Sequence, residues 1–258
     1  MTNTILMLGA AARAGRVVAR RRLSSAASAP VEFDEERSVA YVACLDGTLM
    51  AIAVRQPCLE DAAAPGRPAA PASSDWTGSM SDPVALAWQH KCRAALMAPP
   101  LVVAADEGAA VLAAAVDGSL VALRPDGAVA WEISSLGSSV FCPMLLAAYG
   151  YVLVGLESGA LHGVDAGSGG TAALCHLGSA VTGMAEPVPG QVVVSTAAGV
   201  IFWLDVALLR QQTGPPAAAV LDAVQLPGEV FAAAAVWGSW RVWVGCRDDH
   251  LYCLSLDR

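Results

Sequence analysis

The residues of this 258-residue chain with chemistry to offer are four histidines, seven cysteines and one short run of charge. The histidines are His90, His162, His176 and His250. No two stand at metal-ligand spacing and no Cys/His cluster accompanies them, so the pattern does not describe a zinc site. His162 and His250 fall beside turns, where exposed strand-end histidines are expected. The cysteine number is odd, no Cys-x-x-Cys or adjacent pair occurs, and no secretory leader is apparent. Reduced thiols are therefore expected throughout, with Cys44 and Cys246 at one position of equivalent strands, as small core residues. The charged run is Arg247-Asp248-Asp249, next to His250. A His beside a carboxylate is the start of a nucleophile-activating pair, but no nucleophile stands beside it, so a polar turn is the better reading. Arg247, Asp248 and Asp249 then form either a candidate interaction turn or a solvated one. No catalytic, cofactor-binding or metal-binding residue is assigned.

The elements that position this turn recur. Five stretches read VAYVACLDGTLMAI, VLAAAVDGSLVAL, YVLVGLESGALHGV, VVVSTAAGVIFWL and VWVGCRDDHLYCL. Their turns are Asp46-Gly47, Asp117-Gly118, Ser158-Gly159, Ala198-Gly199 and Asp248-Asp249. A small polar residue and glycine between apolar runs is a hairpin signal, because the favoured two-residue turns need positive φ. The middle copies repeat at about 40 residues, the length of four short strands, which is one propeller blade. An earlier strand is expected before each later hairpin, at 94–99, 139–144, 180–184 and 230–234. A fourth strand follows some hairpins, most clearly at 128–133. The fold class is all-β: a β-propeller of about five four-stranded blades, whole or incomplete. One blade cannot bury both its faces, so neighbours must stack.

The last copy, with LPGEVF before it and GCRDDHLYCLSL within it, resembles the final blade of the quinoprotein-type β-propeller that ends the beta-alanine-activating enzymes, members of the acyl-CoA synthetase family. AAVDGSLVALRPDGAVAWEIS resembles another blade of that propeller, with Trp131 where the pattern places a Trp; the third and fourth copies lack it. The resemblance runs with gaps from about Trp88 to Leu256. It implies a quinoprotein alcohol dehydrogenase-like fold and an association with amino-acid or acyl activation. It implies no active site. Adenylation needs a phosphate loop and a catalytic Lys, whereas this chain has Lys91 alone and no such loop; it also lacks the Asp-Ser of a carrier domain. A quinone-dependent dehydrogenase is the rival from the enzyme class. Its pyrroloquinoline quinone and calcium need several oxygen ligands. The single Asn is Asn3, and the vicinal cysteine pair of those enzymes is missing, so no cofactor is expected. The reading is a non-catalytic interaction or scaffold domain, with a protein partner or companion adenylation and carrier domains. A free-standing scaffold is the third reading.

Composition sets the remaining limits. The chain is 55% hydrophobic, 15% charged and carries a net charge of −8. An acidic body argues against a phosphate-neutralising nucleic-acid face. No apolar run reaches the 18 residues of a membrane span. Residues 1–31 hold Arg13, Arg16, Arg20, Arg21 and Arg22 and no acid, so they read as a transit peptide or a disordered extension that contributes no strand. The location is cytoplasmic, or an organelle if the transit reading holds. Residues 32–258 hold the propeller repeats. Pro- and Ala-rich 55–83 reads as a linker-like insertion, and 211–219 as a shorter one. Finally, with no outer strand after the last copy, the hairpin around Asp46-Gly47 is expected to pack beside the blade around Asp248-Asp249 and close the ring.

Overall fold

The computed structural model describes residues 4–8, 17–54, 84–103, 109–211, 219–238 and 241–255. The proline-rich stretch 55–83, nearly all of 211–219, and Trp240 lie outside them. The strands are β1 Thr4–Leu8, β2 Val17–Arg22, β3 Glu32–Asp34, β4 Val39–Ala43, β5 Thr48–Val54, β6 Val84–Lys91, β7 Leu101–Val102, β8 Val111–Ala114, β9 Leu120–Leu123 and β10 Val129–Ile133. They continue as β11 Leu145–Ala147, β12 Tyr151–Gly155, β13 Ala160–Asp165, β14 Thr171–His176, β15 Val181–Val188, β16 Gln191–Thr196, β17 Val200–Asp205, β18 Val220–Gln225, β19 Ala235–Trp237, β20 Arg241–Gly245 and β21 Leu251–Ser255. One six-residue helix, α1 Val206–Gln211, follows β17.

These strands make four four-stranded antiparallel sheets, β3–β6, β7–β10, β11–β14 and β15–β18, a three-stranded sheet, β19–β21, and a two-stranded one, β1–β2. The fold is nearly all-β, built of propeller-like blades. Every sheet is a meander of sequence neighbours, and ladder hydrogen bonds stay within each sheet. Between sheets lie apolar layers. Tyr41, Ala43, Leu49 and Ala51 of the first full sheet meet Val111, Ala113, Val121 and Leu123 of the next. Leu112, Ala114, Leu120 and Ala122 point the other way and meet Val152, Val154 and Val164. The pleat alternates sides, but both sides are covered, so the middle strands are apolar nearly throughout. The last sheet has one covered face. Its β21 alternates between exposed and half-buried residues, and in β20 Val242 and Val244 are buried with Trp243 half-buried between them.

The turns are as expected: Gly47, Gly118, Gly159 and Gly199 have φ between 81° and 89°, and Asp249 takes φ 65° in their place. Gly118 also has no room for a side chain, since a Cβ there would lie 2.5 Å from the Ser138 carbonyl oxygen.

Several expectations are corrected. The first strands begin later than read in three sheets, at Leu101, Leu145 and Ala235 rather than within 94–99, 139–144 and 230–234. Pro99-Pro100 and Pro143 supply no N–H to a ladder, which defers two of them. Only Val181 begins where the sequence placed it. The N-terminal region does contribute strands: Thr4 to Leu8 pair with Arg22 to Val17. Leu23 is 5% exposed and packs with Val42, Met50 and Ile52 on the rear of the first full sheet. That rear face is therefore already covered. The hairpin around Asp46-Gly47 does not pack against the blade around Asp248-Asp249; their apolar layers share no residue.

Candidate interaction site

Arg247, Asp248 and Asp249 form the tight turn between β20 and β21. The structure brings them beside Glu229, Phe231, His250 and Tyr252. The Arg247 guanidinium donates to Glu229 at 2.9 Å and lies 5.4 Å from the centre of the Phe231 ring. Its backbone N–H donates to the Glu229 carbonyl at 2.9 Å. The Tyr252 hydroxyl donates to the Asp248 carboxylate at 2.5 Å, and the His250 N–H donates to its other oxygen at 3.2 Å. The tyrosine hydrogen bond holds the Asp248 carboxyl below its usual range and pushes the Tyr252 hydroxyl up to about 12. Asp249 and Arg247 are exposed, and Asp248 is half-buried. The turn is thus a stiff, internally hydrogen-bonded platform. Arg247 and Asp249 are the charges it offers outward.

The other candidates scatter. His90, His176 and His250 each lie at or just outside the end of a strand; His162 lies inside β13, part-buried, and its Nδ1 has no hydrogen-bond partner. Desolvation depresses its pKa. Six of the seven cysteines fall in described residues, and all six are free thiols. No group of three or more metal-ligating side chains occurs among the described residues.

Exposed apolar residues lie on and beside the same sheet. Trp237, Phe231 and Leu251 are 64%, 58% and 67% exposed. Trp237 lies in β19, with the Arg241 guanidinium 5.4 Å from its ring centre. Counting from the turns gives the reason. Leu251 and Cys253 stand where Ile201 and Trp203 stand one sheet earlier. There those two are 0% and 3% exposed, covered by the layer holding Val242 and Val244. The last sheet has no following sheet among the described residues, so the same positions are bare.

A second device links sheets at the outer strands. Trp88 in β6 donates its indole N–H to the Pro125 carbonyl at 2.8 Å, and Trp131 in β10 donates to the Ala166 carbonyl at 2.9 Å. Both carbonyls belong to short turns between the third and fourth strands of the next sheet. Gly127 and Gly169 in those turns leave room for the rings, since a Cβ on either would sit 2.8 or 2.7 Å from the indole. The Trp is missing from β14 and β18, and the turns it would reach are missing too. Opposite β14 the link carries α1, whose Arg210 lies over the Tyr151 ring. Opposite β18 the sheet ends at β21.

These features define a protein of stacked, propeller-like β-blades. No family model matches the chain. Over 33 residues it is 54% identical to the beta-alanine-activating enzyme of Danio rerio, a match that covers 13% of this chain and 3% of that enzyme. The crystal structure of the computationally designed Ika8 protein is similar in fold, with a TM-score of 0.56 and 17% identity over 94% of this chain and 75% of that one. The designed Ika4 protein gives a TM-score of 0.47 and 21% identity, over 57% of this chain and 85% of its own. Among the described residues, no helix is long and apolar enough to cross a membrane.

Proposed function

We propose that this chain is a non-catalytic propeller-like scaffold that docks companion adenylation or carrier domains and so assists amino-acid or acyl activation without performing it. The observation that carries the reading is the turn Arg247-Asp248-Asp249. Its backbone and carboxylate are held by Glu229, Tyr252 and His250, so its exposed charges are presented with little conformational freedom left to lose on binding. The short identity with beta-alanine-activating enzyme supplies the class of partner. Charged turns on a rigid sheet set specificity and association rate.

Calorimetric titration with an acyl-CoA-synthetase-family adenylation–carrier protein tests it. Saturable binding is expected, weakened at least about tenfold by Arg247→Glu, which reverses a rim charge at a cost of about 1.4 kcal/mol or more. Absence of binding, or binding indifferent to Arg247→Glu, refutes the docking role. Pyrroloquinoline quinone with calcium is added in a parallel arm. An absorbance change or thermal shift there would replace the scaffold reading with the dehydrogenase one.

A further inference from the structure

Three consecutive arginines, Arg20, Arg21 and Arg22, close β2. Leu23 and Ser24 follow, so Ser24 has arginine two, three and four residues before it. Ser25 is the only other serine or threonine preceded this closely by more than one arginine. The fold presents the run extended. A strand sends successive side chains to opposite sides. Arg20 and Arg22 are exposed and Arg21 is half-buried. Leu23 is buried on the rear of the first full sheet, and Ser24 is exposed again. Arg20, Arg22 and Ser24 therefore share one open side. The chain bends at Ser24 and Ser25 before Ala27 bridges to Cys44, so Ser24 stands at a corner and not in a ladder. The neighbouring serines are less open. Ser25 and Ser28 are half-buried, and the Ser28 hydroxyl donates to the Leu96 carbonyl.

The Ser24 hydroxyl has a defined task. It donates to the Asp46 carboxylate at 3.3 Å, to the oxygen that also accepts the Thr48 N–H at 3.0 Å. Lys91 donates to the Asp46 carbonyl and lies 3.7 Å from the other carboxylate oxygen. One ammonium thus balances one carboxylate, and the serine joins the corner to the turn. Just beyond, the Ala26 carbonyl accepts the Leu45 N–H at 2.9 Å.

We propose that Ser24 is a phosphorylation site for an arginine-directed serine kinase, and that the phosphate releases this corner from the Asp46 turn. Carboxylates in the kinase cleft hold the arginines by charge-assisted, bidentate hydrogen bonds, which set the register of the hydroxyl. In the transfer the γ-phosphorus of ATP bonds to Ser24 Oγ as its bond to the β–γ bridging oxygen breaks. ADP leaves with that electron pair, and the hydroxyl proton passes to a carboxylate of the kinase. The product carries a charge of about −1.5 to −2 and acceptor oxygens where a donor stood. It faces Asp46, whose neutralising partner is already Lys91. Beside an aspartate such a group disrupts by like-charge repulsion. Asp46 is tied to Thr48 within its own turn, so the bend at Ser24 and Ser25 is the part that moves.

Incubating the folded full chain with the catalytic subunit of an arginine-directed serine kinase and magnesium ATP tests it. One phosphate per chain is expected, placed on Ser24 by fragmentation mass spectrometry. Ser24→Ala should abolish incorporation and Ser25→Ala should leave it. Arg22→Gln removes one charge-assisted pair and should lower kcat/KM at least about tenfold, with circular dichroism unchanged. No incorporation into the folded chain overturns the assignment. So does phosphate on another residue, incorporation only after heat unfolding, or a rate indifferent to Arg22→Gln. In the phosphorylated protein the Leu45 amide should exchange at least about threefold faster, as the corner that holds it opens. Unchanged exchange overturns the release. None of these outcomes depends on binding an adenylation–carrier protein, so this proposal and the docking reading fail separately.

Discussion

Replacing Gly169 with alanine tests whether the outer-strand tryptophans tie neighbouring sheets together. Gly169 has φ 73°, and an added Cβ would sit 2.7 Å from Cδ2 of Trp131. Two costs follow. The left-handed backbone costs an alanine about 1–2 kcal/mol. The ring must also back away, losing the Trp131-to-Ala166 hydrogen bond, about 1 kcal/mol, and part of its packing, about 1 kcal/mol more. The single variant should therefore lose about 3 kcal/mol. Trp131→Ala alone should lose about 2–3 kcal/mol, below the range for a fully buried Trp because the ring is half-exposed. In the double variant there is no ring left to displace, so Gly169→Ala should cost only its backbone share. The coupling is then about 1–2 kcal/mol. Urea unfolding followed by far-ultraviolet circular dichroism measures all four corners of the cycle. Costs that add to within about 0.5 kcal/mol would show that ring and turn do not act together, and the linking role would be wrong.

Gly118→Val should destabilise by more than about 2 kcal/mol, because a β-branched side chain at φ 81° would also collide with the Ser138 carbonyl 2.5 Å away; an unchanged melting temperature would contradict the strain. Ser168 hydrogen bonds, at 2.7 Å from hydroxyl and from N–H, hold the Asp165 carboxyl below its usual 3.8. A depressed folded pKa contributes stability that is present above 3.8 and lost as pH falls below it. Ser168→Ala should therefore raise the Asp165 pKa by carbon-13 titration and flatten the acid limb of the stability curve; an unmoved titration counts against the assignment. Burial pushes the Cys142 thiol up to about 12, whereas Cys253 is exposed. Iodoacetamide at about pH 8 should label Cys253 in the native protein and Cys142 only on unfolding, as peptide mass mapping would reveal.

The legible parts of this fold were those set by local chemistry. Asp117-Gly118 and Ser158-Gly159 announce turns because only small residues take their φ, and the apolar runs beside them fall into strands on schedule. The polar–apolar alternation of His250 to Leu254 marks a strand, but its packed side is the one holding Tyr252 and Leu254, while Leu251 and Cys253 are exposed. What sequence did not give was set by tertiary partners. The first strands begin late because their pairing depends on where each crossing segment lands, and prolines delay it. Trp237 stands beside the turn glycine Gly238, yet β20 recruits it into a ladder through the Trp237–Arg241 pair. The turn Arg247-Asp248-Asp249 was found from composition, but its stiffness comes from Glu229 and Tyr252, which only the fold brings to it. The missing tryptophans of β14 and β18 looked like a weaker pattern; their absence matches the absence of a tight turn opposite.

Among the described residues, ladder hydrogen bonds run inside the sheets, while apolar layers and a few side-chain hydrogen bonds, two of them indole–carbonyl bonds, hold the sheets to one another. Such an array responds to tension in instalments. Pulled from its ends, it should yield one sheet at a time, each giving up about 40 residues of chain, or roughly 140 Å of length at about 3.4 Å per residue. The sheets joined by Trp88 and Trp131 should be the last to part. Force–extension traces of this chain would then record the blade repeat as a ruler of nearly equal steps.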